Sequence, residues 1–145
     1  MMKIGILIVF RNDESIIEVQ KFIELLTEKN KLAVCFVNNG STDGTLKLLK
    51  EIQEEVSIPI SIIDVKKSRG HNAAIKAGIR YLTSKDDLPY TLCLQKYTSQ
   101  DFSTLKKVFR IITQEKGVVK DLFKKTKRMI HKNVFSLSSI LDTAC

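Results

Sequence analysis

Strand-length apolar runs alternate with stretches of helical periodicity through the first hundred residues, and this alternation constrains the fold more than any other feature. Runs rich in β-branched residues predict strands at Ile4–Phe10, Leu32–Val37, Ile58–Val65 and Tyr90–Leu94. Strands joined by helices imply right-handed crossovers and a mostly parallel sheet. Because the runs are apolar throughout, without polar alternation, helices are expected on both faces of the sheet. The sequence therefore predicts a three-layer α/β fold.

The segments between the strands carry apolar side chains at helical spacing, which predicts helices within 16–26, 46–56 and 74–82. Asn12 follows the first strand and is expected to cap the first helix, with Asp13 and Glu14 in its first turn. Asp43 is expected to cap the second helix, which begins near Gly44. These boundary residues agree with the alternation of strands and helices.

The last third of the chain is more basic than the rest. Residues 101–145 carry 10 basic and 4 acidic side chains, whereas residues 1–100 carry 14 and 12. Helical spacing continues beyond Asp101, and a basic amphipathic stretch from Lys116 to Lys132 predicts a helical, basic C-terminal segment. This stretch is either a solvated helix face or a surface that attracts anions. We expect residues 1–145 to form one domain, with its core in 1–100 and a helical tail in 101–145.

The cysteines and the apolar runs bear on the cellular compartment. Cys35, Cys93 and Cys145 lack the spacing of metal ligands, and the first two lie in strand-like runs where buried free thiols are common. A reduced, cytoplasmic protein is the prediction. The longest apolar run, Ile4–Phe10, is far shorter than the roughly 20 residues that a membrane span needs. Met1 to Lys3 lead directly into that run, so no signal peptide is expected.

Three polar loops follow the first three predicted strands: loop 1 (residues 10–14), loop 2 (37–45) and loop 3 (66–74). Open α/β sheets bind ligands outside the carboxyl ends of their strands, which is where these loops lie. Loop 2 combines Asn, Gly, Ser and Thr beside a helix N-terminus, which suits anions and polar base edges. Loop 3 adds Lys66, Lys67 and Arg69 next to Gly70. Taken alone, each of loops 2 and 3 is better explained as an ordinary turn, but their common edge favours a joint nucleotide site.

Two motifs in these loops carry a resemblance to a known family. Loop 2 contains the uninterrupted run Gly-Ser-Thr-Asp-Gly-Thr at 40–45, and Gly70, Ala74 and Gly78 are spaced four apart after a basic loop. With Asn12 and an acid after the first strand, residues 3–102 resemble the N-terminal, donor-binding half of a family-2 glycosyltransferase. The resemblance implies the Rossmann-like GT-A fold.

The chain departs from the family at its acidic positions. The two aspartates that end the family's second strand are Asn38 and Asn39 here, and the proline and tyrosine that accompany Asn12 are absent. The family's D-x-D triplet, which holds the divalent ion on the donor diphosphate, corresponds to Gln95-Lys96-Tyr97. A hard cation needs oxygen ligands, normally carboxylates, so no metal cofactor is expected. The family's general base lies in a later region that we expect this chain to lack, and no catalytic residue is assigned.

The resemblance implies that a UDP- or GDP-linked sugar is bound. The nucleotide-binding residues that it implies are Phe10, Arg11, Asn12, Asn38, Asn39, Gly40, Ser41, Arg69, Gly70, His71, Gln95 and Lys96. The main hypothesis is a glycosyltransferase-like protein whose metal-dependent transfer is lost or much weakened. One alternative is an active, metal-independent transferase in which Lys96 stabilises the leaving phosphate.

A second alternative is a binding module without enzymatic activity, which uses its basic C-terminal helix on an anionic partner or membrane surface. The tail is similar in composition to the basic segments of polyprenyl-phosphate glycosyltransferases, through Lys124, Lys125, Lys127, Arg128 and Lys132. That similarity implies polyprenyl phosphate as a partner and a peripheral position at the inner membrane face. Nucleic acid is not an expected partner, and the sequence leaves the oligomeric state open.

Overall fold

The computed structural model describes residues 4–26, 32–85, 88, 90–94, 103 and 106–107, with the backbone of 134–136. Strands and helices alternate through it as the sequence predicts. In chain order they are β1 (Ile4–Phe10), α1 (Val19–Leu25), β2 (Leu32–Asn39), α2 (Thr45–Glu55), β3 (Ile60–Val65), α3 (His71–Lys85), β4 (Tyr90–Leu94) and β5 (Val134–Ser136).

The strands form one sheet in the order β3-β2-β1-β4-β5, and every neighbouring pair is parallel. The chain steps outward from β1 through β2 to β3, and α3 then carries it across to β4 on the other side of β1. The strand order therefore reverses between β1 and β4, where α/β sheets of this kind open a ligand crevice. The prediction of a mostly parallel α/β sheet is confirmed. The fifth strand, Val134–Ser136, was not predicted, because three residues are too few to show a period.

Alternate residues of the central strands pack into two cores on opposite faces of the sheet. On β1, Ile4, Ile6, Ile8 and Phe10 face α1 and α2, which contribute Phe22, Leu25, Leu49 and Ile52 to the same cluster. Leu7 and Val9 pack on the other face with Ile75, Ile79 and Leu82 of α3. β1 and β2 are buried at every position, as expected for strands covered on both faces. The predicted helices on both faces are confirmed.

Three phenylalanines form the centre of the first core. The ring centroids of Phe10 and Phe36 lie 5.2 Å apart and those of Phe22 and Phe36 lie 5.9 Å apart, both edge to face. This geometry places the positive edge of one ring against the negative face of the next. Phe10 is also the last residue of β1, so the cluster fixes the point at which loop 1 leaves the sheet.

The entry into α1 differs from the prediction. The helix begins at Val19, and Asn12 does not cap it. The amides of Ile16 and Ile17 both donate to the carbonyl oxygen of Asp13, so a separate turn precedes the helix. Ile16, where the predicted helix begins, is 51% exposed, whereas Ile17 is buried. A polar side chain directly after a strand predicts a helix cap, but hydrogen bonds to residues distant in sequence hold the side chain of Asn12 away from α1.

Other predictions are met closely or lie beyond the described residues. Cys35 and Cys93 are buried free thiols, and burial raises the pKa of each to about 12. In the described part of the chain, no helix has the length and apolar character to cross a membrane. The predicted basic helix at 116–132 lies outside the described residues, as does Cys145.

Candidate functional site

The three loops meet at the carboxyl edge of the sheet, as predicted. The register pairs Phe10 of β1 with Asn38 of β2, and Asn38 with Asp64 of β3. Loops 1, 2 and 3 therefore leave three adjacent strands at the same level. The predicted binding residues of these loops come together here, except that the side chain of Phe10 is buried in the aromatic cluster and is not available to a ligand. Gln95 and Lys96 lie outside the described residues.

Loop 1 is tied to loop 2 by reciprocal hydrogen bonds. The amide of Asn12 donates to the Ser41 hydroxyl at 3.0 Å, and the amide of Thr42 donates to Oδ1 of Asn12 at 2.8 Å. The amide of Asp13 donates to the Thr45 hydroxyl at 2.9 Å. Asn12 has a φ of 51°, a left-handed conformation that asparagine tolerates better than most residues. Asn12 and Ser41 thus hold the two loops together, so some of their hydrogen-bonding groups are already occupied within the protein.

The acidic residues of the two loops complete this network. Glu14 accepts from the amide of Gly44 at 3.0 Å, and its own amide donates to Asp43 at 3.2 Å. The Asp43 carboxylate also accepts from the amide of Thr45 at 3.0 Å, at the first residue of α2. The hydrogen bond from the Thr45 hydroxyl is the main reason why the pKa of Asp43 is lowered. The N-cap residue of α2 is Gly44 and not Asp43 as predicted, although Asp43 accepts from the first amide of the helix. The Gly-Ser-Thr-Asp-Gly-Thr motif thus positions loop 1.

Two buried asparagines end β2. Asn38 is 3% exposed, and its Nδ2 donates to Oδ1 of Asp64 at 3.0 Å. Its Oδ1 is also buried and has no hydrogen-bond partner among the described residues. Asn39 is 4% exposed, and its Nδ2 reaches the carbonyl oxygen of Gly70 at 3.5 Å. The two asparagines therefore join β2 to β3 and to loop 3, and one buried acceptor of Asn38 receives no hydrogen bond from the part of the chain that the structure describes.

Asp64 is a residue of this site that the sequence analysis missed. It accepts from Asn38 and forms an ion pair with Lys66, and Lys66 is the main cause of its lowered pKa. The available signal was a single acid in the apolar run Ile62-Ile63-Asp64-Val65, one residue before the strand ends. A charge in such a position needs a partner, and the sequence alone does not show which residue supplies it.

Glycines bring loop 2 and loop 3 into contact. Gly40 has a φ of +67°, and a Cβ there would lie 2.5 Å from the backbone nitrogen of Ser68. Gly70 has a φ of +93°, and a Cβ there would meet no atom of the described residues within 4 Å. Both positions favour glycine for their left-handed backbone, but only Gly40 is also required by close packing. Gly78 lies on α3 against Leu7 and Val37, so it serves the contact between helix and sheet.

A family model described as glycosyl transferase family 2 matches residues 6–135, which cover all three loops and all but the outermost residues of the sheet. The chain belongs to glycosyl transferase family 2. No curated protein matches it. The resemblance drawn from loop 2 and from the Gly-Ala-Gly spacing is confirmed.

This family-2 chain has a basic cleft of about 510 Å³ between the end of β3 and α3. Its lining residues are Asn39, Val65, Lys66, Lys67, Arg69, Ala73, Ala74, Lys76, Ala77 and Arg80. Five of these side chains are cationic and none is acidic. Of the predicted nucleotide-binding residues, Asn39 and Arg69 line the cleft, whereas Lys76 and Arg80 were not identified as site residues from the sequence.

Family 2 usually uses a divalent metal, and the described residues contain no group of three or more His, Cys, Asp or Glu side chains that would hold one. The position of the D-x-D triplet, Gln95-Lys96-Tyr97, lies outside these residues. Its donor set is one neutral amide oxygen, one cation and one phenol, which does not fit a hard divalent ion.

Restoring the family's aspartate at Asn38 is expected to destabilise the protein. In Asn38→Asp a carboxylate would replace the amide that now donates to Asp64 at 3.0 Å, so two acceptors of like charge would face each other. We expect a loss of about 1–3 kcal/mol in the free energy of unfolding at pH 7. Urea denaturation at several pH values measures this loss.

The pH dependence of Asn38→Asp follows from the sign of the pKa change. The lowered pKa of Asp64 gives the wild type stability that is present above the unfolded pKa and lost as the pH falls through the folded pKa. In Asn38→Asp the two facing carboxyl groups share a raised pKa. The stability that the variant loses relative to the wild type should therefore shrink as the pH falls through that pKa. Asn38→Asp/Asp64→Asn restores one donor and one acceptor and is the matched control. If Asn38→Asp alone is as stable as the wild type at pH 7, the expectation is wrong.

Proposed function

We propose that this chain binds a UDP- or GDP-sugar at the carboxyl edge of its sheet, and that its metal-dependent glycosyl transfer is lost or much weakened. The observation that carries the binding proposal is the buried Oδ1 of Asn38, which has no partner among the described residues. A buried acceptor without a donor costs about 1–3 kcal/mol, so it favours a ligand that supplies an N–H group. The imide of uracil and the N1–H of guanine are such donors.

The charges around this acceptor support a phosphorylated ligand. Arg11 is exposed on loop 1, and Arg69 and His71 are exposed on loop 3. These side chains lie at the edge where Asn38 and Asn39 end β2. A base at Asn38 with its diphosphate toward the basic side chains would match acceptor to donor and cation to anion. Because Asn38 lacks the charge of the family's aspartate, its bond to the base is about half as strong, and weak affinity follows.

Weakened transfer rests on the donor set at 95–97. Membership of family 2 supports a nucleotide-sugar donor, but Gln95-Lys96-Tyr97 replaces the carboxylates that would hold a metal on its diphosphate. The residues present do not fit the ion, so no catalytic step is assigned to it. The membrane and polyprenyl-phosphate partners, the cytoplasmic location and the single domain over 1–145 stay predictions from the sequence.

Calorimetry with UDP and GDP, each with and without Mn²⁺, tests the proposal. We expect dissociation constants near the millimolar range that Mn²⁺ leaves unchanged, and about tenfold weaker binding in Arg11→Ala. Lys47→Ala removes one exposed charge from α2, at a residue that is not among the predicted binding residues, and should bind as the wild type does. If neither nucleotide releases heat at millimolar concentration, the proposal of a nucleotide site is wrong. Affinity that rises strongly with Mn²⁺ would contradict the assignment at 95–97.

A further inference from the structure

The basic cleft beside α3 has more positive charge than the described structure neutralises. Lys66 pairs with Asp64, but within the described part of the chain Lys67, Arg69, Lys76 and Arg80 form no ion pair with a carboxylate. All five cations of the cleft are exposed at its rim. Like charges gathered around one concavity repel each other, and an anion bound between them relieves that repulsion.

The geometry of α3 leaves room between these charges. Lys76 and Ala77 lie three and four residues after Ala73, and Arg80 lies four and three residues after them, so the four residues share one face of the helix. The alanines have short side chains, and the cations on that face oppose Lys66 and Lys67 at the end of β3. Arginine binds phosphate through two parallel N–H groups, and lysine adds a compact point charge. The set fits an anion with several oxygens better than it fits a single carboxylate.

The cleft is separate from the place where the family holds its metal and diphosphate. That place follows β4, and β2 and β1 lie between β3 and β4. With neighbouring strands about 4.8 Å apart, the cleft lies roughly 14 Å from the end of β4. A diphosphate held near β4 would not reach Lys76 and Arg80. A diphosphate beside Arg11, Arg69 and His71 would meet only the loop 3 end of the cleft, because Lys76 and Arg80 lie five and nine residues beyond His71 along α3.

We propose that the cleft formed by Lys66, Lys67, Arg69, Lys76 and Arg80 is a second binding site, for a small molecule with two or more adjacent phosphate groups. A volume of about 510 Å³ is that of a small-molecule pocket. The site adjoins the proposed nucleotide site and shares Asn39 and Arg69 with it, whereas Lys76 and Arg80 belong to this site alone.

Inorganic pyrophosphate is the probe for this site. We expect it to raise the melting temperature of the full chain and to bind at least tenfold more weakly in Lys76→Ala/Arg80→Ala. Both residues are exposed, so circular dichroism should show an unchanged fold. Lys47→Ala/Lys50→Ala removes the same charge from exposed positions on α2 and should bind pyrophosphate as the wild type does. Phosphate should bind more weakly than pyrophosphate if adjacent phosphate groups are recognised together.

The outcomes separate this site from the nucleotide site. Absence of pyrophosphate binding, or equal loss in both double variants, would overturn the proposal, because the charge alone would then explain the effect. Loss in Arg11→Ala with none in Lys76→Ala/Arg80→Ala would also overturn it, since the anion would then occupy the nucleotide site. If uridine and UDP fail to bind while pyrophosphate binds through Lys76 and Arg80, the nucleotide proposal fails and this one stands.

Discussion

Phe36→Ala is expected to lower the free energy of unfolding by about 3–5 kcal/mol, the range for a buried phenylalanine truncated to alanine. Phe36 is fully buried in β2 and packs edge to face against both Phe10 and Phe22. The substitution removes two aromatic contacts and leaves a cavity between the sheet and α1. Since whole domains are stable by only about 5–15 kcal/mol, this one change removes a large share. Urea denaturation followed by circular dichroism measures the loss.

Two further variants make this result interpretable. Ile16→Ala truncates an apolar side chain that is 51% exposed, and it should change the free energy by less than about 0.5 kcal/mol. Phe36→Leu keeps most of the side-chain volume, so its loss of stability should lie between those of Ile16→Ala and Phe36→Ala. This loss can be measured even if Phe36→Ala does not fold. Equal effects of Phe36→Ala and Ile16→Ala would show that the aromatic cluster is not the centre of the core.

The strands of the sheet could be predicted because each is marked by a run of neighbouring apolar residues. β1 and β4 match their apolar runs from end to end, since burial on both faces leaves no polar position to blur the boundary. β3 lies at an edge of the sheet and is only partly buried, and there the predicted start at Ile58 was two residues early. The order of the strands and the short strand β5 depend on contacts distant in sequence, which periodicity does not encode.

The candidate site was predictable as a place but not as a set of contacts. The carboxyl edge and its three loops followed from the strand pattern, and Asn38 and Asn39 lie there. What Asn12 binds was not predictable, because its partner Thr42 is 30 positions away. Asp64 and the α3 cations Lys76 and Arg80 were missed for the same reason: each gains its role from side chains on other elements.

The largest expected effect on function concerns transfer itself: with Mg²⁺ or Mn²⁺ the chain should show no meaningful donor hydrolysis or sugar transfer. Leaving of the diphosphate develops charge, and a bound metal typically lowers such a barrier by several kcal/mol. Each 1.36 kcal/mol is about tenfold in rate, so losing the metal alone corresponds to roughly a thousandfold or more. A missing general base would remove about a further 10²–10⁴-fold. Gln95-Lys96-Tyr97 offers the metal no carboxylate.

The test compares the wild type with Gln95→Asp/Tyr97→Asp, which rebuilds the family triplet around Lys96. Mn²⁺ binding by calorimetry and donor hydrolysis are the two readouts, and Gln95→Asn/Tyr97→Asn is the control that changes the same positions without adding charge. We expect Mn²⁺ binding in the aspartate variant and none in the other two proteins, because only carboxylates offset the charge of the ion. Donor hydrolysis should stay low in all three if the general base is also absent. Metal-dependent hydrolysis by the wild type would place the metal at other residues and refute the assignment of the triplet.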